Sequence, residues 1–323
     1  LAGAALAEAE DCTWLPDLRC ERSGGRWEGF EKPIVGFAQF EDPFITTGLY
    51  PYFVWHEYPS SSVMGGGELF AVAVQARLAI TDKLAFIATK DGYVWNRPEL
   101  ELNDVAPGAG RSHVLPDTQG YLNIAAGLKY ALIEDRENHF ILSPAVRIEL
   151  ATGSSDTFQG YGNGLWIPSV SAAWSPLEDV HLMGGIGGEI PFSSGKLSSS
   201  IFYHLYGDYK VNDRFQPFAQ LSGIHWVESG RGELPVRTRL SPPLRDLTLT
   251  QAQDATRSGR DDGTAEFNLG SKGVDNNDLI TFAVGSHFPI TKHVTFSVAY
   301  ERPVTTRKGI FKQRITTGMR FEF

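Results

Sequence analysis

From about residue 46 onward, runs of alternating apolar and polar residues recur, and the connections between them are sorted by length. Five connections are tight and charged: Thr81-Asp82-Lys83, Glu134-Asp135-Arg136-Glu137-Asn138, Pro176-Leu177-Glu178-Asp179, Val211-Asn212-Asp213-Arg214 and Ile290-Thr291-Lys292-His293. Six are long and polar, near 58–66, 96–119, 152–163, 193–197, 229–276 and 303–309. The two kinds alternate. The runs between them approach the roughly 9–11 residues that a tilted strand needs to cross a bilayer, which predicts about twelve strands. An even count puts both termini on the side of the tight turns. A soluble sandwich has no physical reason to sort its loops this way.

The last strands carry the same pattern in detail. Val294, Phe296, Val298 and Tyr300 alternate with Thr295, Ser297, Ala299 and Glu301, and the chain closes on Arg320-Phe321-Glu322-Phe323. One apolar face and one polar face suit a strand with lipid outside and water inside, and a terminal aromatic is how outer-membrane strands characteristically end. No stretch reaches the roughly 18 apolar residues of a membrane helix. A mean hydropathy of −0.18 does not count against a barrel, since alternate residues face the interior. Aromatics at 12% can supply interfacial girdles. The fold class expected is all-β: a single antiparallel transmembrane β-barrel of about 12 strands over residues 46–323, with short periplasmic turns and long extracellular loops. The compartment expected is the outer membrane of a Gram-negative bacterium, with the lipid bilayer and lipopolysaccharide as surroundings. Such a barrel is roughly 24 Å across at the backbone and about 10 Å or less between side chains, enough for small solutes.

Residues 1–45 lie outside the repeat and are expected to form a periplasmic N-terminal segment. The opening run 1–7 resembles the end of a signal peptide, with Ala5-Leu6-Ala7 as a cleavage tripeptide. The only cysteines, Cys12 and Cys20, are expected to form one disulfide in an exported chain. Pro33 and Pro43 argue against a central strand or a helix over 30–44, leaving a periplasmic arm, an inserted plug or a loose tail. The net charge of −9, with acids and bases interspersed, argues against nucleic acid.

Setting the bulkier apolar series outward fixes what lines the lumen. Phe70, Val72, Val74, Leu78 and Ile80 outward put Gln75 and Arg77 inward; Leu122, Ile124, Leu128 and Tyr130 outward put Asn123 and Lys129 inward. Leu142, Val146, Ile148 and Leu150 outward turn Arg147 and Glu149 in, and the same rule turns in Glu189, His204, Asp208, Lys210, Glu301, Lys312, Arg314 and Arg320. A charge facing lipid at mid-depth costs a few kcal/mol, so inward placement is close to forced. Lys312, Arg314, Arg320 and Arg77 then make a basic strip facing Glu189 and Asp208. Either it sets a transverse field across a narrow lumen, or the charges pair into a polar core.

The connection 229–276 is far longer than the others and is expected either to fold into the lumen or to form an exposed surface for a partner. Asp275-Asn276-Asn277-Asp278 offers oxygen ligands but not the spacing of an EF-hand, and these residues also suit turns; no metal and no cofactor are expected. No catalytic residues are expected. No histidine has serine two positions away on its strand face. His293 has Thr295 but no acid to orient it, and no spacing puts His56, His113 or His225 in a dyad.

Two stretches, residues 41–47 (EDPFITT) and 267–278 (FNLGSKGVDNND), with the closing Tyr300-Glu301-Arg302-Pro303-Val304 and the arginine-bearing last strand, resemble outer-membrane barrels of the meta-pathway phenol-degradation family. The likeness is clearest over residues 265–323. It implies a barrel of this size and a role in moving small, aromatic or hydrophobic molecules across the outer membrane. The function expected is a passive channel for such solutes. The alternative is a closed structural or assembly barrel that docks proteins through residues 1–45 or 229–276.

Overall fold

The computed structural model describes residue 27 and residues 29–323, apart from 194, 257, 260 and 265. Cys12, Cys20 and the signal-like run 1–7 fall outside the described residues. Twelve strands follow in chain order: β1 Gly48–Glu57, β2 Gly67–Ala79, β3 in two pieces (Leu84–Ala88 and Gly92–Pro98), and β4 in three (Thr118–Tyr121, Ile124–Tyr130 and Ile133–Asp135). Then come β5 Phe140–Leu150, β6 Leu165–Leu177, β7 Val180–Pro191, β8 Ser199–Tyr209, β9 Gln216–Glu228, β10 Asn277–Thr291, β11 Val294–Pro303 and β12 Gln313–Glu322. Each pairs antiparallel with its sequence neighbours, and β12 returns to β1, with Tyr52 opposite Gly318 and Trp55 opposite Ile315. Closure leaves no strand edge unpaired, which a barrel in hydrocarbon requires. Among the described residues no helix is long and apolar enough to cross a membrane.

The period-2 pattern dictates the two faces. Val72, Val74, Leu78, Val146, Leu205 and Phe282 are exposed on the outside, while the strand neighbours on either side of each are buried; Leu128, Ile186 and Val284 are exposed on the same face. This outward apolar belt is the surface a bilayer covers. Leu122 departs from expectation. It is buried, as is the adjacent Asn123, because β4 is broken there and the alternation slips by one residue. The facing break in β3 buries both Thr89 and Lys90. Irregularities of this kind re-aim side chains, and extrapolating alternation across one fails.

The interior is not empty. Residues 29–45 run through the barrel without strand or helix, and nearly every one is buried. This is the inserted-plug arrangement among the alternatives for the N-terminal segment. A turn in its middle is closed by the Gln39 and Phe40 amides donating to the Gly36 carbonyl at 2.9 and 2.8 Å. Gly36 has φ +63°, and a Cβ there would lie 2.9 Å from Cε1 of His204, so both backbone and wall demand glycine.

The long connection after β9 is an ordered cap over the far mouth. It holds a two-turn helix, α1 (Leu249–Thr256), a small hairpin pairing Pro235–Arg237 with Asp246–Thr248, and another pairing Gly263–Thr264 with Phe267–Asn268. Its own Leu234, Val236, Leu249, Phe267 and Leu269 are buried in the core. At the tight-turn end the barrel opens into a vestibule of about 1380 Å³. Its described walls include Phe30, Glu31, Lys32, Asp42, Gln216 and Arg320.

Candidate functional site

Where the plug meets the wall, the contacts are polar and specific. Arg77 on β2 grips Glu41 with a two-pronged contact, Nε to Oε1 at 2.7 Å and Nη2 to Oε2 at 2.5 Å. Lys129 on β4 donates to Glu41 Oε1 at 2.8 Å, to the Asp42 carbonyl at 2.8 Å and to Asp42 Oδ1 at 3.1 Å. Arg147 on β5 donates to the carbonyls of Ala38 and Gln39, both at 2.7 Å. Gln75, Gln216 and Gln220 reach from the wall to the carbonyls of Phe37, Gly29 and Val35. A segment with no sheet partner must satisfy its backbone groups this way or leave them stranded away from water. Phe37 stacks on Tyr52 and Phe40 on His204, with ring centroids 4.6 and 4.7 Å apart.

Arg77, Lys129, Arg147, Glu149, Glu189, His204, Asp208, Glu301, Arg314 and Arg320 are all buried inside. Lys312 is not. It precedes β12 at the rim, about half exposed, and pairs with Glu57. Lys210, likewise, sits just past β8 at a tight turn and pairs with Asp213 at 3.0 Å. Alternation holds only while the backbone is a strand, and both lie one residue beyond one.

The basic strip does not look across open space at the acidic one. Arg314 is gripped by Glu266, which the cap carries inward, at 3.0 and 2.9 Å. Arg320 donates to Glu31 of the plug at 3.2 Å and to Glu322 at 3.0 Å. Among the acids, Glu149 accepts from Lys90 at 2.7 Å, Glu189 from Gln39 at 2.7 Å, and Glu301 from Thr281 at 2.6 Å. Asp208 accepts from Tyr206 and Gln216 at 2.8 and 2.7 Å and lies 2.6 Å from His181 Nδ1. The residues missed from sequence are therefore the counterions: Glu31, Glu41 and Asp42 on the plug and Glu266 on the cap. The only sequence signal among them was the acidic pair Glu41-Asp42 inside an otherwise largely apolar extended run.

Histidine pairs also escaped a search along single strands, because they form across strands; His204 Nδ1, for one, lies 3.0 Å from Ser222 Oγ. His287 Nδ1 lies 2.7 Å from Ser297 Oγ, and Tyr206 links His287 to Asp208, but the cluster is buried beneath the plug. His225 Nδ1 lies 2.8 Å from Asp278 on the outer face near the long loops. Among the described residues no group of three or more His, Cys, Asp or Glu is placed to hold a metal ion.

The cap carries two carboxyls that titrate unusually. Burial pushes Asp262 up to about 7 and Asp261 up to about 6. Asp262 Oδ1 accepts from Ser198 Oγ at 3.1 Å and from the Ser271 amide at 2.7 Å, and Asp261 Oδ2 accepts from the Val63 amide at 2.8 Å. A carboxyl that is more basic when folded stabilises the folded cap most at pH below its ordinary value near 4, and that contribution is lost as pH rises through 6 to 7. Amide protection over 229–276, taken relative to the intrinsic base-catalysed exchange rate at each pH, is thus expected to be greater at pH 5 than at pH 8. Asp262→Asn should remove most of that difference; an unchanged pH difference would refute the assignment.

No protein-family model matches the chain, and no curated protein does. Solved structures do. An outer-membrane channel from Pseudomonas putida F1 has a TM-score of 0.51 at 16% identity, over 88% of this chain and 98% of that one. The NanC porin gives 0.49 at 9% identity, over 85% and 100%, and the Pseudomonas putida toluene transporter TodX gives 0.39 at 9%, over 86% and 88%. At these identities the first likeness speaks to fold alone. Together with the closed ladder and the outward apolar belt, it makes this chain an outer-membrane β-barrel of porin-like architecture.

Proposed function

We propose that the chain is a passive outer-membrane channel for small solutes, closed at rest by its own N-terminal segment. The supporting observation is how the plug is held. The strand ladder closes on itself without any hydrogen bond from residues 29–45, so withdrawing them removes side-chain contacts and leaves the barrel backbone intact. The wall left behind is lined with charged and amide groups, a surface water can wet. Aromatic or hydrophobic solutes are favoured by the resemblance of 41–47 and 267–278 to the phenol-degradation barrels, and by ring slots on Tyr52 and His204 that Phe37 and Phe40 fill.

Single-channel conductance in a planar bilayer tests the reading. The full chain should show small, infrequent openings, and deletion of residues 235–265 from the cap should raise their frequency. Absence of conductance in both chains, and after release of the plug by Glu41→Ala, would overturn it. The filled lumen and the folded cap favour a second reading, a closed barrel that docks protein partners through the N-terminal segment or the 229–276 cap. Specific capture of a periplasmic partner by the segment, with no conductance, would support that one. Upstream of the plug, the Cys12–Cys20 disulfide belongs to the same proposal. Alkylation of the exported protein should label neither cysteine until a reductant is added.

A further inference from the structure

We infer that the barrel wall carries a carboxylate-binding site, built on Arg77 and Lys129, which the plug occupies as a tethered stand-in for an anionic solute. The inference rests on the channel reading and names a substrate class for it. The side chains of Arg77 and Lys129 are wholly buried, on β2 and β4, and they converge on one carboxylate. Arg77 presents its planar fork to both oxygens of Glu41, the geometry that guanidinium uses for carboxylates, while Lys129 adds a third donor to Oε1. The Arg77 guanidinium also lies 4.6 Å from the centroid of the Tyr50 ring, which fixes its orientation from the wall and not from the plug.

Nothing in this constellation needs the carboxylate to be part of the chain. With the plug withdrawn, Arg77, Lys129 and Arg147 lose the plug oxygens they contact, while on the wall Glu149 keeps Lys90 and Glu189 loses its Gln39 partner. Partly dehydrated cations without counterions are unfavourable, so an open lumen recruits an anion to this level. The neighbouring slots set its shape. Phe40 lies nearly parallel to His204, at 7°, and Phe37 to Tyr52, at 9°, so flat rings are accommodated beside the anion site. The chemistry that fits both features is a small carboxylate bearing an aromatic ring.

The test uses the full chain with Glu41→Gln and Asp42→Asn, which empties the site of its tethered acids, and benzoate, benzamide and inorganic phosphate as probes. Calorimetric titration should show benzoate binding at least tenfold tighter than the uncharged benzamide and tighter than phosphate. It should also be tighter than in the unsubstituted chain, where Glu41 competes. Adding Arg77→Gln and Lys129→Gln should abolish it. Equal binding of benzamide, or benzoate binding that survives loss of both cations, overturns the site. Conductance of the same preparation separates the two readings. Current without benzoate preference keeps the channel and overturns the site, whereas benzoate binding without current keeps the site and overturns the channel. If the double variant fails to fold, protease cleavage within 29–45 of the unsubstituted protein replaces it. Cleavage should then rise with benzoate and not with benzamide, and no difference between them overturns the site.

Discussion

Glu41→Ala is expected to release the N-terminal segment from the lumen while the barrel stays folded. Glu41 is the shared counterion of Arg77 and Lys129, whose side chains have no exposure to solvent. Removing one partner of a buried pair is destabilising by about 3–5 kcal/mol, because the charges left behind stay dehydrated. Asp42 offsets part of this, since it lies 3.7 Å from Arg77 and 3.1 Å from Lys129. The lower end of that range still shifts the docked-to-undocked ratio on the order of 100-fold. The loss falls on docking and not on the barrel because the strand ladder closes without the plug. Protease cleavage within 29–45 should therefore accelerate, conductance should rise, and the heat-modifiable mobility of the barrel should stay as in the parent. Unchanged protease resistance would mean that the carboxylate is not the latch. By contrast Lys312→Ala breaks an exposed rim pair with Glu57 and should change stability by no more than about 1 kcal/mol.

The barrel was legible in the sequence because its constraints are local and repeated. Turn lengths alternate, side chains alternate, and a lipid exterior forbids charge, so Arg77, Arg147 and Arg314 could be turned inward from spacing alone. The same rule failed at Leu122 and Lys312 for one reason, that period 2 belongs to continuous strand. A break in β4 and the end of a loop each cancel it. The plug was less legible. Pro33 and Pro43 excluded regular structure there but could not say whether the segment went in or out.

The interior contacts were illegible for a deeper reason. Glu41 meets Lys129 across 88 residues, and Glu266 meets Arg314 across 48. Neither pairing follows from strand order, since one partner in each case lies on a segment with no place in the ladder. Sequence could list the charges on the wall, but their counterions entered from the plug and the cap. The expected transverse field gave way to local neutralisation on that account. The cross-strand pair of His287 and Ser297 shows the same limit, as a search for spacing along one strand cannot see it.

Val284→Arg is the second large effect expected, and it bears on the membrane itself. Val284 sits midway along β10, about half exposed on the outer face, beside Phe282 and opposite Tyr300 of the next strand. If that face meets hydrocarbon, arginine at mid-depth should destabilise the folded barrel by about 2–4 kcal/mol, whereas near the interface the same charge costs about 0–1. Ile290→Arg supplies that comparison, because Ile290 is similarly exposed on the same strand but lies at the tight-turn end. Both introduce the same side chain on the outside of one strand; depth is the main difference between them, beside the register shift between Pro289 and Thr291 at which Ile290 lies. Reversible unfolding in lipid vesicles should separate them by about 2 kcal/mol or more. In detergent the gap should shrink as the micelle lets water and headgroups approach the belt. Equal destabilisation in lipid at the two positions would deny the outer face its bilayer, and with it the argument that turns the charged side chains inward.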